Sequence, residues 1–177
     1  MENKRKKSSY IFGMIGLIVL LGLDRITKIA ALSSLKDTAG IDLIKGVLRF
    51  EYLENTGAAF GVMQGRLPIL LIITLIILAA VIYVYLRIPE GKRYTVLKVL
   101  SILIIAGAIG NMIDRIMYGF VVDFVYVQLI NFPVFNVADC YITVSVILFF
   151  VLVLFYYKDD ELSFIFPSKD KHKEGSV

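Results

Sequence analysis

Four long apolar runs divide the sequence, and the polar residues between them are unevenly shared. Runs 10–23, 67–86, 96–113 and one opening at Phe135 or Asn136 and reaching Tyr157 stand out. A helix needs roughly 20 apolar residues to cross about 30 Å of hydrocarbon. The first run passes through Asp24-Arg25-Ile26-Thr27-Lys28 into Ile29-Ala30-Ala31-Leu32 with no small-residue cleavage site. A basic start before an apolar run suggests a signal peptide, but this continuation predicts an uncleaved span. The predicted spans are therefore about 10–30, 67–87, 96–115 and 136–157 in a single membrane-embedded domain, 1–177. Segment 33–66 has a different period. Over 43–53, Leu48, Phe50 and Tyr52 fall on one side and Arg49 and Glu51 on the other, which predicts one short amphipathic strand. Asn55-Thr56-Gly57 signals a turn, and 58–62 can return as a second strand. Segment 116–135 reads as a mixed aromatic connection and 158–177 as a polar tail. The fold class expected is a membrane all-α chain with a small β element.

Composition strengthens this picture. Of 177 residues, 58% are hydrophobic, and the mean hydropathy is +0.79. Soluble domains are nearer 45–50% apolar, so the surplus faces lipid. The formal charge of +4 is better read as membrane topology than as nucleic-acid binding. The N-terminus holds Lys4, Arg5, Lys6 and Lys7, and the 87–98 loop holds Arg87, Lys92, Arg93 and Lys98; four lysines also lie in the tail. Segment 116–133 holds no basic residue, and 33–66 holds four spread thinly. The positive-inside rule then puts both termini and the 87–98 loop in the cytoplasm, and 33–66 and 116–135 outside.

That topology gathers the unusual polar residues at one depth, near the outer interface. Asp24 and Lys28 end span one, Asn55 lies in the outer segment, and Asn111, Asp114 and Arg115 end span three. Asp123 is in the outer loop, and Asn136 and Asp139 open span four. An acid inside a membrane costs on the order of 2.5–3.5 kcal/mol on insertion scales, so such a cluster is a site hypothesis. The sole histidine is His172 in the tail and the sole cysteine is Cys140. Histidine-based nucleophile pairs and the usual zinc sites are thereby disfavoured. Two close carboxylates can instead share a proton, one serving as base and the other as acid. Asp123, in the apolar context Val121-Val122-Asp123-Phe124, and Asp139, at a helix start where a negative charge is favoured, form the better pair.

The bland alternatives stand beside these roles. Asp24 and Lys28 are spaced as an i,i+4 ion pair. Asp114, next to Arg115, is expected to join a structural ion pair, and Arg115 either braces the region or fixes a catalytic carboxylate. The asparagines either cap and turn the chain or contact substrate, with Asn136 well placed as an N-cap. Cys140 is expected to be core filler.

Five stretches, taken together, resemble the bacterial lipoprotein signal peptidases, or type II signal peptidases. They are Asp24-Arg25-Ile26-Thr27-Lys28, Glu54-Asn55-Thr56-Gly57-Ala58-Ala59-Phe60-Gly61, GAIGNMIDR from Gly107 to Arg115, Val121-Val122-Asp123-Phe124, and Phe135-Asn136-Val137-Ala138-Asp139. The resemblance implies four spans, a short extracytoplasmic β-cradle and an aspartic endopeptidase with Asp123 and Asp139 as its dyad. It implies Asp24, Lys28, Asn55, Gly57, Phe60, Asn111, Asp114, Arg115 and Asn136 as substrate-binding or supporting residues. The implied substrate is a prolipoprotein carrying diacylglycerol on its lipobox cysteine, cut just before that cysteine, beside membrane lipid. Globomycin-type cyclic peptides are expected to inhibit. No cofactor, metal or nucleic acid is expected, and the protein is expected to act as a monomer in the bacterial cytoplasmic membrane. Segment 57–61 is either a flap over the substrate or an ordinary hairpin end. The rival readings are a proton-coupled carrier, which predicts acids spread across the bilayer depth, and a non-catalytic scaffold.

Overall fold

The computed structural model describes residues 2–57 and 63–165, with side chains from Lys6 onward. Its α-helices are α1 (Glu2–Leu35), α2 (Leu67–Arg87), α3 (Thr95–Tyr118) and α4 (Val137–Phe155). Its strands are β1 (Ile41–Ile44), β2 (Leu48–Asn55) and β3 (Val121–Val127). By length and composition, Leu67–Arg87, the helical stretch Lys92–Tyr118 and Val137–Phe155 can each cross a membrane. α1 has 34 residues, about 51 Å of helix at 1.5 Å per residue. It presents Ile11, Phe12, Ile15, Ile18 and Val19 to the outside.

α3 is the central helix. Over half of its apolar window (56%) is buried, against 11% in α2 and in α4, and α1, α2 and α4 all pack on it. Small residues make this closeness possible. A Cβ on Gly107 would lie 2.5 Å from the Ala138 carbonyl oxygen, so only glycine lets α4 approach here. α3 ends at Gly119, whose left-handed φ of 83° and N–H bond to the Arg115 carbonyl close the last turn. That reversal feeds the chain into β3.

The sheet has order β1-β2-β3, antiparallel throughout. Alternation along β3 separates two jobs. Val122 and Phe124 pack with Ala31 and Leu35 of α1, under Phe50 and Tyr52 of β2. Val121 and Asp123 face the other way, into a cleft. The sheet is therefore seated on the end of α1 and holds one acid on its far side.

Three expectations need correction. The single strand over 43–53 is a hairpin, because Gly46, at φ +74°, turns the chain between β1 and β2. The 116–135 connection contains β3, a full partner for β2. Cys140 is exposed and lines the cleft rather than filling the core. The second strand expected over 58–62 lies outside the described residues.

Candidate active site

The cleft lies between the sheet, the end of α3 and the start of α4, with a volume of about 980 Å³. Asn55, Asn111, Arg115, Asp123 and Asp139 all line it. Apolar side chains, among them Phe132, Phe135, Ile142 and Val144, form much of the remaining wall. A mostly apolar wall with a few convergent polar groups suits a substrate that is part peptide and part hydrocarbon.

α4 begins where it does because Asn136 caps it. The Asn136 Oδ1 accepts from the Asp139 N–H at 3.0 Å, and Asp139 Oδ2 accepts from the Asn136 N–H at 3.1 Å. This reciprocal capping box satisfies two amides that a helix start leaves open. The same asparagine then reaches out of the helix. Its Nδ2 donates to Asp123 Oδ1 at 2.6 Å and to Asn111 Oδ1 at 3.1 Å. Capping and site contact are one arrangement, not alternatives.

The two acids are thus held by a shared set of amides. Asp123 accepts from Asn136 on one oxygen and from Asn55 Nδ2, at 2.8 Å, on the other. Asp139 accepts from Asn111 Nδ2 at 2.7 Å and from the Asn136 backbone. Asn55 is itself fixed, its Oδ1 accepting from Gly57 N–H at 2.9 Å. Burial pushes the Asp123 carboxyl up to about 7, and the neighbouring Asp139 charge adds to the effect. The donors Asn55 and Asn136 and the Lys28 charge act against that rise without cancelling it.

Behind these amides lies a buried ionic network. Asp24, Lys28 and Asp114 are each at most 2% exposed. Each of the three Lys28 ammonium hydrogens has an acceptor: Asp24 Oδ2 at 3.0 Å, Asp114 Oδ2 at 3.0 Å and Asn111 Oδ1 at 2.8 Å. Because lysine only donates, it turns the Asn111 oxygen toward itself and leaves the Asn111 NH₂ for Asp139. Asp24 Oδ1 accepts from Ala138 N–H at 3.1 Å, tying α1 to the first turn of α4. Asp114 Oδ2 accepts from Val122 N–H at 3.2 Å, tying α3 to the residue before Asp123. Gly110 makes room: a Cβ there would stand 2.5 Å from Asp24 Oδ2.

Residues 16–155 match the family model described as signal peptidase (SPase) II. The chain belongs to the signal peptidase II family. It is 40% identical over 143 residues to a lipoprotein signal peptidase of Clostridium novyi (strain NT), covering 78% of this chain and 95% of that one. A lipoprotein signal peptidase of Clostridium tetani (strain Massachusetts / E88) is 41% identical over 150 residues, covering 81% and 92%. A solved bacterial membrane enzyme structure, determined by the in meso method at 2.3 Å, is also similar. It superposes with a TM-score of 0.72 at 29% identity, covering 94% of both chains.

Within this signal peptidase II chain, most of the residues singled out from the sequence converge. Asp24, Lys28, Asn55, Asn111, Asp114, Asp123, Asn136 and Asp139 form one connected network. Arg115 donates to the Gly57 carbonyl at 2.8 Å, so it braces the segment that starts at Gly57. Phe60 lies outside the described residues. The ion pair expected of Asp114 exists, but with Lys28 and Arg25 rather than with its neighbour Arg115. Sequence reasoning passed over Arg25, Gly107 and Gly110. A charge count would have exposed Arg25, since two buried acids, Asp24 and Asp114, face one lysine.

Proposed function

We propose that the protein cleaves diacylglyceryl-modified prolipoproteins just before the lipidated cysteine, with Asp123 and Asp139 activating water. The coarser statement, a protease that removes signal peptides from lipoprotein precursors, follows from family membership. The observation that carries the finer one is the hydrogen-bonded path Asp123–Asn136–Asn111–Asp139 along one cleft. Two acids held through shared donors, one of them with its carboxyl raised to about 7, suit a pair that shares one proton.

In this reading Asp139, at the helix start, holds the charge and draws a proton from the attacking water. Asp123 holds the shared proton and delivers it to the amine that leaves. Protonated or not, both Asp123 oxygens keep lone pairs for Asn55 and Asn136. The tetrahedral oxygens form in a largely apolar cleft, where fixed donors such as Arg115 act more strongly than in water. The diacylglyceryl chains lie along the apolar wall that continues down α4. A globomycin-type cyclic peptide would inhibit by filling the same cleft. The basic ends support a topology with both termini in the cytoplasm and the cleft at the outer face of the cytoplasmic membrane.

The test is cleavage of a diacylglyceryl-modified precursor peptide beside its unmodified twin. Wild type is expected to cut the modified peptide alone. Asp123→Asn and Asp139→Asn are each expected to insert in the membrane and lose at least a thousandfold in turnover, as other general acid–base groups do when removed. Full turnover by either variant, or equal cutting of the unmodified peptide, overturns the reading.

A further inference from the structure

We propose that Arg25 is a positioning residue for the reaction, acting as the fourth charge of a closed ionic quartet that seats Asp123. The inference rests on the reading of Asp123 given above. Asp24 and Asp114 are two buried acids, and Lys28 supplies one positive charge between them. The balance comes from Arg25, whose NH1 meets Asp114 Oδ1 at 3.0 Å. Arg25 is 31% exposed against 1% for Asp114, so it neutralises the network from its rim. Its other nitrogen bonds the Tyr118 hydroxyl, and the guanidinium lies 5.3 Å from the Tyr118 ring centre. Arg25 thus joins α1 to the last turn of α3 just ahead of β3.

The link to chemistry runs through Asp114. One of its oxygens takes Arg25, and the other takes Lys28 and the Val122 amide. Val122 precedes Asp123. Without Arg25, Asp114 carries an unmatched buried charge, which costs far more than the pair contributes when intact. Asp114 then either draws Lys28 away from Asn111 or shifts toward Lys28 and loosens its hold on Val122. The first disturbs the amide that holds Asp139, and the second disturbs the strand that holds Asp123.

Charge gives a readout that packing does not. The charged groups around Asp123 are Lys28 from α1, Glu51 and Glu54 from β2 along the same cleft, Asp114 and Arg115 from α3, and Asp139 from α4. Removing Arg25, the partner of Asp114, takes one positive charge from beside this set and leaves the surroundings of Asp123 more negative by one. An added negative charge nearby opposes ionisation of Asp123, so the alkaline limb of the activity profile moves to higher pH.

The experiment measures kcat, KM and the pH profile with lipid-modified precursor peptide for wild type, Arg25→Lys and Arg25→Gln. Arg25→Gln is expected to lower kcat about tenfold to a hundredfold, leave KM within about twofold, and raise the alkaline limb by roughly one pH unit. Arg25→Lys keeps the charge and is expected to keep the wild-type limb. Arg25→Gln combined with Asp114→Asn removes one charge of each sign and is expected to restore the wild-type limb. A folded Arg25→Gln with wild-type kcat and limb overturns the proposal. If that variant does not fold, a double variant that is also lost, or whose limb is displaced, overturns it equally. An inactive wild type would instead sink the reading of the site as a whole.

Discussion

The two ends of the helical bundle handle charge in opposite ways. At the end beside the sheet, Asp24, Lys28 and Asp114 are sealed from solvent, and every ammonium hydrogen of Lys28 is spoken for. At the opposite end, Arg93 forks onto Glu161, its NH2 reaching Oε2 at 2.9 Å and the Tyr156 carbonyl at 3.0 Å. It also lies 4.4 Å from the Tyr156 ring centre, and Tyr157 donates its hydroxyl to the Arg93 carbonyl at 2.7 Å. Arg93 draws the Glu161 carboxyl down to about 2, a stronger perturbation than its modest role suggests. That pair is open to solvent, its side chains 42% and 19% exposed, so water can replace either partner and its loss leaves nothing stranded. Losing one partner in the network beside the sheet strands a charge in a place water does not reach. Geometry alone does not rank these contacts; burial does.

The comparison breaks most visibly at Lys28. Lys28→Met keeps the volume but leaves Asp24 without a cation and Asp114 with Arg25 alone, and is expected to destabilise the fold by about 3–5 kcal/mol. Turnover is expected to fall at least a hundredfold, since Asn111 loses its fixed orientation; unfolding in detergent and the precursor assay together check this. Gly110→Ala should have the next largest effect. Its new Cβ would crowd Asp24 Oδ2, which must shift from Ala138, at a cost of about 1–3 kcal/mol. Activity is expected to fall about tenfold, and a normal melting temperature with normal turnover would show that Asp24 has slack.

The acidity of the site sharpens the contrast without a mutation. Asp123 is raised to about 7, and the proposed reaction uses its protonated form. Activity is therefore expected to be retained below that value and to drop about tenfold per pH unit above it. A carboxyl raised on folding also binds its proton more tightly in the folded state. The Asp123 contribution to stability is thus present below its unfolded value of 3.8 and is lost as pH rises through about 7. Melting curves across that window should fall with rising pH, and a flat profile would contradict the assignment. The smallest effect belongs to Glu161→Gln at the end away from the sheet. Its melting temperature and turnover are expected to match wild type, at low and at high salt alike.

Much of this arrangement was legible from residue order. The apolar runs announce α2, α3 and α4 because nothing else accommodates such stretches outside lipid. The acids and asparagines announce the site because each is costly where it stands. β3 was hidden for the same reason the spans were clear. Val121-Val122-Asp123-Phe124-Val125 is apolar on both faces, so it lacks the alternation that marks a strand, and its partner β2 lies 66 or more residues upstream in register. The hairpin turn at Gly46 sat inside an alternating stretch and was read through. Arg25 escaped because Asp24 and Lys28, spaced i and i+4, looked complete as a pair. Only the arrival of Asp114 from α3 reveals that the pair needs a second cation.

Asn136 both starts α4 and grips Asp123, while Asp139 arrives within that same opening turn. If Asp123 and Asp139 act as proposed, a nascent copy whose final span has not yet been threaded carries only the first of the two acids and lacks the pair that hydrolysis needs. On that reading, proteolytic competence arrives in one step with the completion of membrane insertion, and the cell is spared a half-built protease.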